Sequence, residues 1–224
     1  MRSRAVPKPQ LPDERPRLPR DVYRDLKGAV AAGELDDAAS ALSASGEALT
    51  AGDTARALEL LTWAKSVAPR SGAVREALGV ALYRSGSFES ARSELGAYHR
   101  ITGRSDQGHL LADCARALGR PELVERHVTE LLDGQAEPAR RAEAVIVLAA
   151  ARTDADDPEG GLAALDRVRV SDAPDEAAAR WWYVRGDVLE RLGRTDDAVA
   201  AFESAQSLDA DGLDVSERVA TLRQ

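Results

Sequence analysis

The polar side chains with the clearest capacity for chemistry are His109 and Asp113, which lie four residues apart in the sequence. On an α-helix this spacing places both side chains on one face, and Arg116 follows nearby. An imidazole and a carboxylate in this arrangement can ligate a metal ion, but two ligands alone seldom make a metal site. The pair therefore predicts a hydrogen-bonding network on a helix surface, and a metal-dependent sensor or enzyme centred on it is kept as an alternative.

Other catalytic chemistry is scarce in this sequence. It contains no phosphate-binding loop of the GxxxxGKS or GxxxxGKT type, no GxGxxG, no HExxH and no GxSxG. Three histidines and a single cysteine, Cys114, form a small stock of bases and nucleophiles. One cysteine can form neither an intrachain disulfide nor a multi-cysteine metal site. The sequence predicts a protein that is not an enzyme and that has no cofactor or metal.

The elements that position these residues are predicted to be helices. Apolar residues make up 44% of the 224 residues but aromatic residues only 4%, so alanine, leucine and valine supply most of the hydrophobic character. Such a composition suits closely packed helices better than a β-sandwich, which favours branched and aromatic side chains. An all-α fold is expected.

Small residues that favour turns recur along the chain at intervals of 34, 33, 37 and 37 residues. These turn residues are Gly52, Gly86, Gly119, Asp156 and Gly193. Seven residues before each of them lies a small residue, namely Ser45, Gly79, Ala112, Ala149 and Gly186. Nine residues after each lies a large apolar residue, namely Leu61, Leu95, Val128, Leu165 and Phe202. A register that recurs in this way predicts an array of structural repeats.

Each period is interpreted as a hairpin of two antiparallel helices. The small residues let the two backbones approach where the helices cross, and the large residues fill the space beside the crossing. The turn residue ends the first helix in a left-handed conformation that satisfies its last carbonyl groups. The second helices are then expected to open at Asp53, Ser87, Arg120 or Pro121, Asp157 and Thr195.

This pattern resembles the tetratricopeptide repeat, whose period is about 34 residues. The clearest unit spans residues 179–210, where the signature positions of the family hold Trp182, Gly186, Leu189, Gly193, Ala198, Phe202 and Ala205. The unit departs from the family at Arg185, where leucine is usual, and at Leu189, where tyrosine is preferred. Residues 81–122 and 182–202 also resemble a group of tetratricopeptide proteins from actinobacteria that carry a basic N-terminal tail.

The resemblance implies a right-handed α-solenoid of about five helical hairpins, with an additional N-terminal helix and a C-terminal capping helix. The expected repeat domain covers residues 21–224, with repeats at about 38–71, 72–105, 105–138, 142–178 and 179–210 and a capping helix at about 213–223. A basic, proline-rich and flexible tail is expected at residues 1–20. Each hairpin is too small to bury its own apolar face, so neighbouring hairpins supply the missing contacts.

In the register of this family, nine polar side chains fall on the concave face: Glu76, Tyr83, Arg84, His109, Asp113, Arg116, Tyr183, Asp187 and Arg191. Tyrosine and arginine are favoured at binding hot spots because they bury area while keeping a polar group. The alternative is that these residues pack against neighbouring helices or the termini. The predicted function is a non-catalytic scaffold or adaptor that binds a peptide or helix of a partner protein on this face.

The N-terminal tail has a charge opposite to that of the rest of the chain. Its basic residues are Arg2, Arg4, Lys8, Arg15, Arg17 and Arg20, whereas the whole chain has a net charge of −8. An RNA- or ribosome-associated factor that uses this tail is therefore a second hypothesis, and a solubilising or self-docked tail is the other reading. The sequence lacks a secretion signal and any run approaching the ~18 apolar residues of a membrane span. A cytoplasmic protein is expected.

Overall fold

In the computed structural model, residues 6–31, 33–208 and 214–223 are described, and they form helices without any β-strand. The chain divides into two compact units, residues 1–104 and 105–224. The helices of the first unit are α1 (Arg20–Ala29), α2 (Leu35–Thr50), α3 (Thr54–Val67), α4 (Gly72–Arg84) and α5 (Phe88–Thr102). Those of the second unit are α6 (Gly108–Ala117), α7 (Pro121–Asp133), α8 (Pro138–Asp154), α9 (Pro158–Leu165), α10 (Asp175–Arg191), α11 (Thr195–Leu208) and α12 (Val215–Leu222), with a short 3-10 helix at Val170–Asp172. The predicted all-α class is confirmed.

Every predicted turn residue has the left-handed backbone conformation. The φ angles are 78° at Gly52, 75° at Gly86, 67° at Gly119, 62° at Asp156 and 69° at Gly193. After α4, the amide of Ser87 donates a hydrogen bond to the carbonyl of Leu82 at 2.9 Å, and the amide of Gly86 donates to Tyr83 at 2.9 Å. This pair of bonds closes a helix end around a left-handed residue. The turn residues therefore end the first helices, as predicted.

The second helix of each hairpin begins immediately after the turn. The side chains of Asp53 and Asp157 accept hydrogen bonds from the amides of Arg56 and Gly160, each at 2.9 Å, and so cap α3 and α9. Pro121 occupies the first position of α7, where a missing amide hydrogen costs nothing. Five helix pairs result, namely α2–α3, α4–α5, α6–α7, α8–α9 and α10–α11.

Glycine is required where the paired helices cross. A Cβ atom on Gly79 would lie 2.6 Å from the side chain of Leu95, and one on Gly186 would lie 2.7 Å from the ring of Phe202. Both large partners are fully buried. The pairing of a small residue on the first helix with a large one on the second, expected from the periodicity, is confirmed at these crossings.

Each unit contains its own apolar core. In the first unit, Trp63 packs with alanine and leucine side chains of α2, α3 and α4. In the second unit the core includes Trp181 and Phe202, and the indole of Trp181 donates a hydrogen bond to the carbonyl of Leu165 at 3.2 Å. Cys114 is fully buried. None of the described helices is both long enough and apolar enough to cross a membrane.

Residues 6–19 form no helix or strand and contact α2 and α3 of the first unit. Lys8 forms an ion pair with Asp37, and its ammonium group lies 5.8 Å from the ring centroid of Trp63. The amide of Arg17 donates a hydrogen bond to the hydroxyl of Ser43 at 3.0 Å. The prolines of this segment remove amide donors and so oppose helix formation. The segment therefore packs on the first hairpin, α2–α3, without regular secondary structure.

Candidate partner-binding face

The first helices of three hairpins, α6, α8 and α10, form one surface of the second unit, because α8 packs against both α6 and α10. We call it the first-helix face. It carries six of the predicted site residues, which are His109, Asp113, Arg116, Tyr183, Asp187 and Arg191. The turn residues of these hairpins are 37 residues apart, so Ile146 of α8 is equivalent in register to His109 and Tyr183.

Two ion pairs join neighbouring helices where these helices begin. Arg140, at the start of α8, contacts the carboxylate of Asp106, which precedes α6, at 2.8 Å. Arg180 of α10 contacts Glu143 of α8 at 2.9 Å. Burial raises the pKa of Glu143, although the positive charge of Arg180 acts in the opposite direction. These contacts hold four charged side chains in place along one edge of the first-helix face.

A third group of charges joins α6 and α8 nearer their C-terminal ends. Arg116 contacts Asp113 of its own helix at 2.8 Å and Asp154 at the end of α8 at 3.1 Å. Asp113 and Arg116 were both predicted as binding residues, and the structure brings them together. Their side chains are thus ordered before any partner arrives.

Helical spacing places an uncharged strip between these two sets of ion pairs, because Ile146 and Ala150 lie between Glu143 and Asp154 along one face of α8. It is formed by His109 on α6 and by Ile146 and Ala150 on α8, all of which are partly exposed. The Nδ1 atom of His109 is buried and has no hydrogen-bond partner in the described part of the chain. Burial lowers the pKa of His109 to about 4, and the positive charge of Arg140 acts in the same direction. At neutral pH the imidazole therefore carries no charge.

We expect the His109 imidazole to titrate near pH 4 when its C2 proton is followed by NMR in the folded protein. The folded pKa lies below the ordinary value of 6.5, so the unfolded chain takes up this proton first as the pH falls. The stability linked to the neutral imidazole is present above pH 6.5 and is lost progressively towards pH 4. The same proton should titrate at its ordinary pKa in urea, and a midpoint near 6.5 in the folded protein would contradict the burial of this group.

Two predicted residues on α10 contact the C-terminal helix of the same chain. The hydroxyl of Tyr183 donates a hydrogen bond to Asp214 at 2.6 Å, and Arg218 of α12 contacts Asp187 at 2.5 Å. Burial raises the pKa of Tyr183 to about 12, and the hydrogen bond to Asp214 adds to this effect. Arg191 is exposed. The α10 part of the first-helix face is thus covered by α12 at Tyr183 and Asp187.

The other three predicted residues, Glu76, Tyr83 and Arg84, belong to α4 in the first unit. The ring of Tyr83 meets that of Phe88 edge to face, with 5.9 Å between the centroids. Arg84 donates a hydrogen bond to the carbonyl of Leu49, near the end of α2, at 3.0 Å. Glu76 is half-buried. Partner binding by these three side chains stays a prediction.

Basic residues of the N-terminal segment differ in their surroundings. Arg2 and Arg4 lie outside the described residues. Arg15, Arg17 and Arg20 are exposed, and Arg17 lines an open cleft of about 660 Å³ beside α2. Lys8, by contrast, is held by Asp37 and Trp63 as described above. Nucleic-acid binding by this segment stays a prediction.

The proposed alternative of a metal site at His109 and Asp113 gains no third ligand from the fold. A metal site usually needs at least three ligands, and the described ranges contain no group of three or more histidine, cysteine, aspartate or glutamate side chains that could hold a metal ion. Asp113 is instead paired with Arg116. The two residues lie on one helix, but Asp113 is ion-paired with Arg116, whereas burial keeps the His109 imidazole uncharged.

Some residues that form or contact the first-helix face were not found from the sequence. Ile146 had a usable signal, since it lies midway between His109 and Tyr183 in a register of 37 residues. No sequence pattern distinguished Asp106, Arg140 or Arg218 from the other charged residues of the chain. Which carboxylate an arginine meets depends on how neighbouring helices pack, and periodicity does not specify it.

The family model of the tetratricopeptide repeat matches residues 47–106 and 146–212, more than half of the chain. The chain therefore belongs to the tetratricopeptide repeat family. No curated protein matches its sequence. Family membership and the all-helical structure confirm the predicted fold class, an α-solenoid of helical hairpins.

Several solved structures share this fold at low sequence identity. A chain of the APC/C hetero-tetramer Cut9-Hcn1 matches with a TM-score of 0.70 and 14% identity over 91% of this chain, which spans 39% of the length of that chain. TTC0263, a thermophilic protein of Thermus thermophilus, matches with a TM-score of 0.63 and 18% identity, covering 82% of this chain and 97% of its own. YrrB, a protein with an unusual peptide-binding site, matches with a TM-score of 0.54 and 13% identity, covering 81% of this chain and 90% of its own. These similarities concern the fold alone.

Proposed function

We propose that this protein is a non-catalytic interaction module that binds a peptide or helix of a partner protein on the first-helix face of its second unit. Tetratricopeptide repeats are typical of protein–protein interaction scaffolds. The observation that carries the proposal is the uncharged strip of His109, Ile146 and Ala150 with ion-paired side chains on both sides.

The physical basis is preorganisation. Binding loses affinity when long side chains must be ordered on contact. Here Arg116 and Arg140 are already held by carboxylates, so a partner meets a surface whose charged groups are in place. Partly exposed apolar atoms of the strip supply area for burial, and the flanking charges restrict which sequences fit.

A peptide-display selection against the full chain tests this proposal. Peptides obtained in this way should lose affinity by about tenfold or more when Ile146 is replaced with arginine, because a charge then enters the uncharged strip. The matched control is Arg126→Ala on α7, whose side chain is 58% exposed on the second helix of a neighbouring hairpin. Circular dichroism should show the same helical content in both variants.

The proposal is decided by comparing the peptide affinities of the Ile146→Arg and Arg126→Ala variants. If selected peptides bind wild type and the Ile146→Arg variant equally, the first-helix face around Ile146 is not the binding surface. Equal losses in the Ile146→Arg and Arg126→Ala variants would likewise reject it.

A further inference from the structure

The side chain of Arg218 lies in a site built from α10 and α11. Its guanidinium carbon is 5.0 Å from the ring centroid of Phe202 and 5.9 Å from that of Tyr183. One guanidinium nitrogen contacts both Asp187 and Glu190 at 2.5 Å. Two carboxylates and two aromatic rings therefore converge on one cation, a combination that suits arginine in particular.

The helix that delivers Arg218 is eight residues long. It buries Val215 and Val219, packs Leu222 partly against the core, and accepts a hydrogen bond at Ser216 from Gln206 of α11 at 2.7 Å. A helix of this length is not stable by itself in water, so its structure depends on contacts with α10 and α11. A second basic residue, Arg223, reaches Glu203 of α11, but both of these side chains are about half exposed and such a pair contributes little.

The surface that α12 covers contains two neighbouring carboxylates and an aromatic ring, so its exposure to solvent without a bound cation is unfavourable. Asp187 and Glu190 lie one turn apart on α10, so their negative charges repel each other. Burial raises the pKa of Asp187, and Arg218 opposes that shift by favouring the charged form. The ring of Phe202 is fully buried beside these carboxylates. An arginine supplied from elsewhere would satisfy the same groups.

We propose that Tyr183, Asp187, Glu190 and Phe202 form a receptor surface for a partner helix that presents an arginine beside small apolar residues, and that α12 occupies this surface as a displaceable intramolecular substitute. The inference rests on the proposed function of the repeats as an interaction module, but it uses residues other than the uncharged strip. Charge complementarity and the spacing of Val215, Arg218 and Val219 on one face of α12 specify the partner: an amphipathic helix with an arginine between apolar positions.

The test uses the full chain and a fluorescent peptide with the sequence of residues 213–224. A tethered helix competes at high effective concentration, so wild type should bind the peptide weakly. The Arg218→Ala protein should bind it about tenfold more tightly, because its own helix no longer fills the cation site. Val215→Ser loosens α12 without touching the receptor surface and should produce a gain in the same direction.

Three controls identify the role of arginine. A peptide with alanine in place of its arginine equivalent to Arg218 should bind the Arg218→Ala protein about tenfold more weakly than the unaltered peptide. Adding Asp187→Asn and Glu190→Gln to the Arg218→Ala protein should have the same effect on the unaltered peptide. Arg223→Ala removes an exposed ion pair from the same helix and should leave peptide affinity at the wild-type value.

Equal binding of the two peptides, or no binding to either loosened variant while its helical content is retained, would overturn the proposal. A concentration-dependent dimer that disappears in the Arg218→Ala variant would also overturn it, because the occupant would then be α12 of a second copy. These results are distinguishable from failure of the proposed function, which depends on Ile146 and not on Asp187.

Discussion

Replacing Gly186 with valine is expected to destabilise the second unit by about 3 kcal/mol, the largest effect of any single substitution considered for this protein. A Cβ atom at this position would lie 2.7 to 2.8 Å from three ring carbons of Phe202. The ring is fully buried, and close packing of protein interiors leaves such a ring little room to move. The two helices must therefore separate, and the contacts of Phe202 with the core are lost. Urea unfolding followed by circular dichroism measures the change.

Gly46→Ala is the matched control for this substitution. Gly46 lies inside α2, and a Cβ atom there would meet nothing within 4 Å. Alanine should stabilise the first unit by about 0.5 to 1 kcal/mol, since glycine is a poor helix former. The two glycine substitutions thus have opposite expected signs. A stable Gly186→Val protein would show that the crossing of α10 and α11 is not closely packed.

Replacing Glu94 with glutamine is expected to destabilise the first unit by about 2 kcal/mol. The carboxylate belongs to α5, and its side chain is 8% exposed. It contacts Lys65 of α3 and Arg75 of α4, each at 2.5 Å, and so connects three helices. Glutamine has nearly the same shape but lacks the negative charge, so both cations lose their ionic partner. Glu89→Gln provides the control, because Glu89 is 57% exposed and its ion pair with Arg92 on the same helix lies at the surface.

The effect of Glu94→Gln should depend on pH. Burial by itself would raise the pKa of Glu94, but the hydrogen bonds from Lys65 and Arg75 and the positive charges of these two residues together hold the pKa below its ordinary value. The contribution of Glu94 is therefore fully present above the ordinary glutamate pKa of about 4.3, and it is lost as the pH falls through the lower pKa of the folded state. The stability difference between wild type and variant should be constant from pH 7 to pH 5 and should shrink below pH 4. A difference that stays constant into acid would show that the charge on Glu94 contributes nothing.

Turn and crossing positions could be predicted from the sequence because their requirements are local. A left-handed residue at Gly86 or Gly193 is needed whatever the neighbouring hairpin does, and glycine meets that need without steric strain. A small residue at Gly186 and a large one at Phe202 are likewise fixed within a single hairpin. Such constraints repeat with the period of the fold, so one sequence is enough to reveal them.

The candidate site was predicted only in part. The sequence indicated that His109, Asp113 and Arg116 share one helix, since they lie within eight residues of one another, and their place on a concave face stays a prediction. It did not indicate that Asp113 meets Arg116 and Asp154, or that burial keeps His109 neutral. These properties depend on side chains contributed by neighbouring helices.

The sequence by itself determined a helical repeat protein of the tetratricopeptide family, because the small, turn and large residues that fix each helical hairpin recur at regular intervals along the chain. Only the tertiary structure decided how the hairpins group into two compact units and which charges pair across α6, α8 and α10. It also placed Arg218 of α12 against Tyr183 and Asp187. The physical reason is that ion pairs and helix docking join residues distant in the chain, where no repeating pattern specifies the partner.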